Sequence, residues 1–180
     1  MIAAVIYLAA VVAANLSIAY FGPWVAPINA FLFIGLDLSL RDRLHVQWAD
    51  DQLVLKMGVL IFTGGVISYV LNRDAAQIAI ASTAAFTLAS LADAFVYDRM
   101  WKAKDVRMEQ YPYWKRRWTD LERMNGSNLA GAAVDSFVFP LVAFGLPVLW
   151  PTVIALFAAK VGGGFVWSLI LALPQRRRTA

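Results

Sequence analysis

Four ionisable side chains lie inside long apolar stretches of the chain, and their chemistry is the first clue to function. They are Asp37, Asp93, Asp135 and Lys160. An ionisable group at membrane depth costs about 2.5 to 3.5 kcal/mol on insertion scales, so it usually has a partner or faces a polar cavity. A buried ammonium group needs a carboxylate, and Lys160 is therefore expected to pair with Asp135 or Asp93. The alternative is an ion pair that holds the helices together and has no other role.

Polar residues accompany these charges at helical spacing. Asn128, Gly131 and Asp135 are spaced i, i+3 and i+7, which places them on one face of a helix. A second set falls within an arc of roughly 140° on a helical wheel, which predicts one continuous polar side that faces protein or water. That set is Ser82, Thr83, Thr87, Ser90 and Asp93. Asn15, in the last third of its apolar stretch, is a candidate for a hydrogen bond between helices or for contact with a solute.

An acid and a base stand near the end of one apolar run. Asp37 and Arg41 are four residues apart in "FLFIGLDLSLRD", so in a continuing helix they face the same way and can form an ion pair. We expect Asp37 to be a gate or cavity-floor residue that is oriented by Arg41, with Asp93 at a similar depth. The alternative for Arg41 is that it begins a loop and contacts lipid headgroups.

The elements that must position these residues are membrane-spanning helices. The chain has 180 residues, of which 61% are hydrophobic and 16% charged, and its mean hydropathy is +0.62. This composition is typical of an integral membrane protein. With about 20 apolar residues needed for each crossing, we predict a single all-α domain over 1–180. Its six spans would run over 2–20, 24–40, 53–71, 75–97, 128–147 and 151–173, and the second could be tilted, broken or flanked by a re-entrant piece.

The basic residues predict the orientation of these spans. Most of the 16 Lys and Arg residues follow the second span, lie in the segment 98–127, or lie in the tail at 176–178. These positions share one side of a six-span protein, which predicts cytoplasmic amino and carboxyl termini in the inner (plasma) membrane. The segment 98–127 is predicted to be a cytoplasmic hairpin. Its aromatic residues are expected to lie at lipid headgroups rather than to stack single-stranded nucleic acid: Trp101, Tyr111, Tyr113, Trp114 and Trp118.

The sequence also argues against several classes of function. There is no cysteine, and His45 is the one histidine, so neither a thiolate nucleophile nor a histidine metal cluster is expected. An aspartyl dyad of Asp93 and Asp135 is formally open, but no local motif supports it. We therefore expect no enzyme activity, no cofactor and no metal. Three acids, two amides and a base on inward faces instead favour a cavity for a polar solute.

Three stretches of the chain resemble a known family. They are "ANLSIAYFG…INAFLFIGLDLSLRD", "IASTAAFTLASLADAFVYDRM" and "SNLAGAAVDSFVFPLVAF", and Lys160 follows in the last predicted helix. In this order, the stretches resemble the putative vitamin uptake transporter (VUT) family, also called the queuosine precursor transporters. The resemblance covers nearly the whole chain and implies a membrane helix bundle similar to S-component-like transporters.

The resemblance implies uptake of 7-cyano-7-deazaguanine or a related 7-deazaguanine. A carboxylate could accept the adjacent donors of such a ring, and an asparagine amide could serve its carbonyl group. The expected substrate-binding residues are Asn15, Asp93, Asn128, Asp135, Lys160 and Trp167. Phe139 is an alternative to Trp167 for stacking, while Asp37 and Arg41 form a gate or an ion pair. The expected partners are a deazapurine and the lipid bilayer, without nucleic acid.

Other functions stay open at this stage. One alternative is a substrate-binding S-component-like subunit that depends on an energising partner. A weaker alternative is a membrane interaction protein that carries no solute. A homo-oligomer is also open, because nothing in the sequence reports oligomeric state.

Overall fold

The computed structural model describes residues 2–48, 52–104, 113–147 and 149–172, and it shows helices and no strand in these ranges. The helices are α1 (Ile2–Phe21), α2 (Ala26–Asn29), α3 (Gly35–Trp48), α4 (Leu53–Leu71), α5 (Ala76–Lys104), α6 (Tyr113–Phe144) and α7 (Trp150–Ala172). The prediction of an all-α membrane bundle is confirmed. The tail and the whole link between α5 and α6 lie outside the described residues, as do the side chains of the predicted headgroup aromatics.

The second predicted span is one rod with an irregular middle. Gly22, with φ at 88°, turns the chain after α1, and a 3-10 turn at Pro23–Val25 leads into α2. A π-helical turn, Ala30–Ile34, then joins α2 to α3. A π turn shifts the hydrogen-bonding register by one residue, so some carbonyl groups become available to other partners. The expected irregularity of this span is therefore local, and the helix continues through it.

In the described part of the chain, five helical stretches are long and apolar enough to cross a membrane. They are Ile2–Phe21, Pro23–Arg41, Arg73–Val96, Gly126–Phe144 and Trp150–Leu171. A sixth apolar helix, Leu55–Leu71, is shorter. Large apolar side chains such as Phe62 and Val70 are about two-thirds exposed or more. Outward-facing apolar side chains are what a bundle needs when its solvent is lipid.

Glycine allows the α2–α3 rod to touch α7 closely. A Cβ atom added to Gly35 would lie 2.7 Å from the Cα atom of Gly163, and one added to Gly163 would lie 2.9 Å from the Cα atom of Phe31. Only glycine permits backbones to approach this closely without displacement. The Ser39 hydroxyl then donates to the Gly164 carbonyl oxygen at 3.1 Å. This contact fixes the register of α3 against α7.

Two apolar clusters lie at opposite ends of the bundle. One packs Ile18, Val25, Ala30, Phe139 and Leu156 with neighbouring alanines, near the end of α1. The other surrounds the start of α1: Tyr7, Val11, Leu40, Leu44, Met57, Leu60, Ile61 and Phe86. The polar residues of the bundle lie between and beside these clusters, so the apolar packing sets the positions of the helices that carry them.

Candidate solute cavity

A small cavity lies in the middle of the bundle and collects polar side chains from five helices. Its polar lining is Asn15, Asn29, Ser82, Asp135 and Lys160, and its aromatic lining is Phe86 and Phe139. The cavity volume is about 30 Å³, which is room for about one water molecule, so a bicyclic solute enters only when the lining helices move apart.

An ion pair forms one wall of this cavity. The Lys160 ammonium of α7 lies 2.8 Å from Oδ2 of Asp135 in α6, and both residues are almost fully buried. At this distance two charges attract by about 6 kcal/mol at an effective dielectric of about 20. This attraction offsets the desolvation that membrane depth imposes on each charge. Of the two carboxylates predicted as partners of Lys160, the structure selects Asp135.

Two asparagine amides have fixed orientations at the cavity. Asn29 donates through Nδ2 to the Ala14 carbonyl oxygen at 3.2 Å and to the Ser17 hydroxyl at 2.6 Å. Asn15 donates through Nδ2 to the Ser68 hydroxyl at 3.1 Å, while that hydroxyl donates to the Gly64 carbonyl oxygen.

These amide orientations follow from the partners. A carbonyl oxygen only accepts, and Ser68 has already used its proton, so each asparagine must present its NH₂ group to the bundle. The amide oxygens of Asn15 and Asn29 are therefore the groups left for a solute.

A second polar cluster lies one to two helical turns away and is centred on Arg41. The guanidinium lies 3.7 Å from Oδ1 of Asp93, and it donates to the Asn128 amide oxygen at 3.2 Å and to the Ser90 hydroxyl at 3.4 Å. A Cβ atom added to Gly131 would lie 3.2 Å from the guanidinium, so the missing side chain leaves space for Arg41. We call these five residues the Arg41 cluster.

Asp37 lies between the cavity and the Arg41 cluster. It is 2% exposed, and its Oδ1 has no hydrogen-bond partner among the residues that the structure describes. The phenol of Tyr7 is the side chain placed to hydrogen-bond this carboxyl, and the charges of Arg41 and Asp135 both act on it. Among the described residues, Arg41 forms its ion pair with Asp93, whereas the spacing along the helix suggested Asp37. The arginine side chain is long enough to reach across to α5 and α6.

The structure divides the predicted substrate-binding residues into three groups. Asn15, Asp135 and Lys160 line the cavity. Asp93 and Asn128 belong to the Arg41 cluster. Trp167 lies at neither place.

The indole of Trp167 donates to the Leu32 carbonyl oxygen at 2.9 Å. Leu32 belongs to the π-helical turn, so Trp167 satisfies a backbone acceptor that the irregular helix leaves available. Of the two rings considered for stacking, Phe139 is the one at the cavity.

The polar side predicted for α5 is split in the structure, and that part of the prediction is wrong. Ser82 and Asp93 are buried and face other helices. Thr87 is exposed and donates to the Thr83 carbonyl oxygen of its own helix. A threonine can satisfy its hydroxyl in this way without a cavity, so its presence on a helix does not by itself indicate a polar environment.

Sequence reasoning missed three residues that bear on the site. Asn29 and Phe86 line the cavity, and Tyr7 faces Asp37. Asn29 is an amide inside an apolar run, as Asn15 is, so the reasoning that made Asn15 a candidate applies to Asn29 as well. Nothing in their local sequence marks Phe86 or Tyr7, because single aromatic residues are normal in membrane helices.

A multi-helix membrane bundle that encloses charged and amide side chains is the architecture of a membrane transporter for small molecules. Over residues 2–174 the chain matches the family described as putative vitamin uptake transporter, and it belongs to that family. The resemblance inferred from the three motifs is thereby confirmed. No curated protein and no solved structure matches the chain. Within the described residues, no group of three His, Asp or Glu side chains is placed to hold a metal ion.

Proposed function

We propose that the protein takes up a 7-deazaguanine, such as 7-cyano-7-deazaguanine, across the membrane. The observation that carries this proposal is the polarity of the cavity groups. Asn15 and Asn29 have their NH₂ groups engaged, so they offer acceptors, and Asp135 offers a carboxylate. Guanine-like rings carry an N–H and an exocyclic NH₂ side by side. An acceptor-rich wall matches that edge.

The remaining cavity groups also suit this ring. The Lys160 ammonium is a donor for the ring carbonyl oxygen. Phe86 and Phe139 are apolar surfaces on which a flat heterocycle can stack. In 7-deazaguanines a carbon atom replaces the acceptor nitrogen N7, so the ring needs one donor fewer from the protein. The NH₂ groups of Asn15 and Asn29, which already donate within the bundle, are therefore not required by the solute.

The charge distribution supports uptake through an inner (plasma) membrane with both termini in the cytoplasm. The Arg41 cluster lies toward the same end of the bundle as the carboxyl end of α5 and the amino end of α6, and the segment 98–127 around these ends carries eight Lys and Arg residues. Basic residues flanking membrane helices favour the cytoplasmic side. In this orientation Asn15 and Asn29 lie nearer the outer face, and the Arg41 cluster lies nearer the cytoplasm.

Ligand-dependent melting of the purified protein tests the solute class. At 100 times its dissociation constant, a ligand of the folded state stabilises by about 2.7 kcal/mol. We expect stabilisation by 7-cyano-7-deazaguanine and none by riboflavin, biotin or thiamine. 7-Deazahypoxanthine differs from 7-deazaguanine only in lacking the exocyclic NH₂, and it should bind roughly 10- to 100-fold more weakly than 7-deazaguanine, because a hydrogen bond to a charged group is lost. Equal binding of the two rings would contradict the assigned edge recognition.

The role of Asp135 is tested with a matched pair of variants. Asp135→Asn keeps the shape of the side chain but removes the charge, and we expect it to lose binding and uptake of 7-cyano-7-deazaguanine. Asp74→Asn changes an exposed acid in the short 3-10 turn that precedes α5, and we expect it to behave as the unchanged protein. If Asp135→Asn is present in the membrane and transports normally, the assigned role is wrong.

Uptake by proteoliposomes separates a self-sufficient transporter from a binding subunit. Purified protein that accumulates labelled 7-cyano-7-deazaguanine needs no partner. Protein that binds the ring but never accumulates it would favour an S-component-like subunit with a separate energising partner.

A further inference from the structure

The buried charges of the bundle do not balance. Among the described residues, the buried ionisable groups of opposite charge form two ion pairs, Lys160 with Asp135 and Arg41 with Asp93. Asp37 is a third acid, equally buried, and no base of the described part of the chain lies within ion-pair distance of it. A charged carboxylate at this depth without a counter-ion of its own is strongly disfavoured, and such a group takes up a proton instead.

We propose that Asp37 binds the proton that drives solute uptake, an inference that rests on the proposed transport function. The carboxyl takes a proton from the outer water and releases it to the cytoplasm, so that one proton crosses with each solute. Asp37 is exposed to this exchange only when the helices around the cavity separate, since it is almost fully buried in the closed form.

The surroundings of Asp37 explain how its proton would be linked to the cavity. Tyr7 of α1 faces the carboxyl, and the charges of Arg41 on its own helix and Asp135 of α6 act on it. Asp135 is held by Lys160 of α7. When Asp37 ionises, its negative charge repels that of Asp135, the carboxylate that pairs with Lys160. Because the Asp135–Lys160 pair lines the cavity, the protonation of Asp37 biases the same groups that would hold the solute.

The Arg41 cluster links the same proton to the other end of the bundle. An ionised Asp37 also attracts the guanidinium of Arg41, which is held by Asp93 of α5 at 3.7 Å. This separation is longer than that of a close ion pair, and the guanidinium is also held by Asn128 and Ser90. In the proposed cycle, ionisation of Asp37 draws Arg41 away from these partners, which gives two arrangements of the charges, one for each protonation state.

A proton fits this site better than a sodium ion. A hard cation needs several oxygen ligands around it, whereas the Asp37 carboxyl has a phenol on one side and a guanidinium charge nearby. The positive charge of Arg41 repels a bound metal cation. The same charge also opposes protonation, but burial of the carboxyl and the negative charge of Asp135 favour its neutral form.

Infrared difference spectra of the purified protein, recorded between two pH values, test the proton site without any solute. A protonated carboxyl has a C=O stretching band that the ionised form lacks. We expect a band of this kind that disappears in Asp37→Asn and persists in the control Asp74→Asn. If Asp37→Asn fails to fold, Tyr7→Phe serves instead, and it should shift the pH at which the band changes. A band that is unchanged in these variants would overturn the proposal.

Transport by proteoliposomes tests the coupling. With one proton per solute, a gradient of one pH unit at zero membrane potential supports about tenfold accumulation, or about 1.4 kcal/mol. We expect this accumulation for labelled 7-cyano-7-deazaguanine with the unchanged protein and Asp74→Asn. In Asp37→Asn, any exchange that remains should no longer respond to the pH gradient.

The two experiments separate the failure of this inference from the failure of the proposed function. Gradient-driven accumulation that is unchanged in Asp37→Asn overturns the coupling role and leaves the transport function standing. Accumulation driven by a sodium gradient alone would also overturn the coupling role and leave the transport function standing. If the unchanged protein neither binds nor moves the deazaguanine, the proposed function fails, and the coupling role fails with it.

Discussion

Removal of one partner of the Asp135–Lys160 pair should destabilise the bundle strongly. Lys160→Met replaces the ammonium with a side chain of similar length and leaves the Asp135 carboxylate buried without its base. Breaking a buried pair in this way costs about 3 to 5 kcal/mol. The separation of 2.8 Å corresponds to an attraction of about 6 kcal/mol at an effective dielectric of about 20, which is large enough to account for a loss of that size.

The double variant is the decisive part of this prediction. Lys160→Met combined with Asp135→Leu removes both charges and fills the space with apolar groups. Replacing a whole buried pair by apolar residues is often neutral or stabilising. We therefore expect the double variant to be more stable than either single variant, with a coupling energy of several kcal/mol.

Reversible unfolding in mixed micelles gives the free energies of unfolding for this cycle. Lys56→Met is the matched control, because Lys56 is partly exposed. Its ammonium lies 5.8 Å from the centre of the Trp48 ring, and a cation–π contact of this kind is worth about 0.5 to 1 kcal/mol at an exposed site. Two results would refute the reasoning. One is a Lys160→Met protein as stable as the unchanged protein, and the other is a double variant whose loss equals the sum of the single losses.

Two further predictions concern the packing of α7. Gly163→Ala should destabilise the protein by about 1 to 3 kcal/mol, because the new methyl group would meet the backbone of the π-helical turn. Gly162→Ala should be neutral or stabilising, because its methyl group makes only ordinary contact. Thermal melting compares the two variants, and equal melting temperatures would contradict the close approach of α7 to the π-helical turn. Trp167→Phe should cost about 1 to 3 kcal/mol by leaving the Leu32 carbonyl oxygen without its donor. The exposed Trp150 provides the control Trp150→Phe, and a loss in both variants alike would point to ring size instead of the hydrogen bond.

The candidate site shows where sequence reasoning succeeds and where it stops. The inward-facing position of Asp135 followed from its helical spacing with Asn128 and Gly131, and the structure buries it. The choice between Asp135 and Asp93 as partner of Lys160 did not follow, since it depends on which helices are neighbours. The spacing of Asp37 and Arg41 also suggested a pair, but the arginine side chain is long enough to reach Asp93 on another helix.

The sequence by itself determined the class of protein, the helical fold and the residues whose burial demands an explanation. These properties depend on composition and on periodicity along one helix, which are local. The tertiary structure alone decided the pairing of the charges, the orientation of the Asn15 and Asn29 amides and the place of Trp167. Each of these depends on the rotation and register of one helix against another, and close contacts such as that of Gly35 with Gly163 set them.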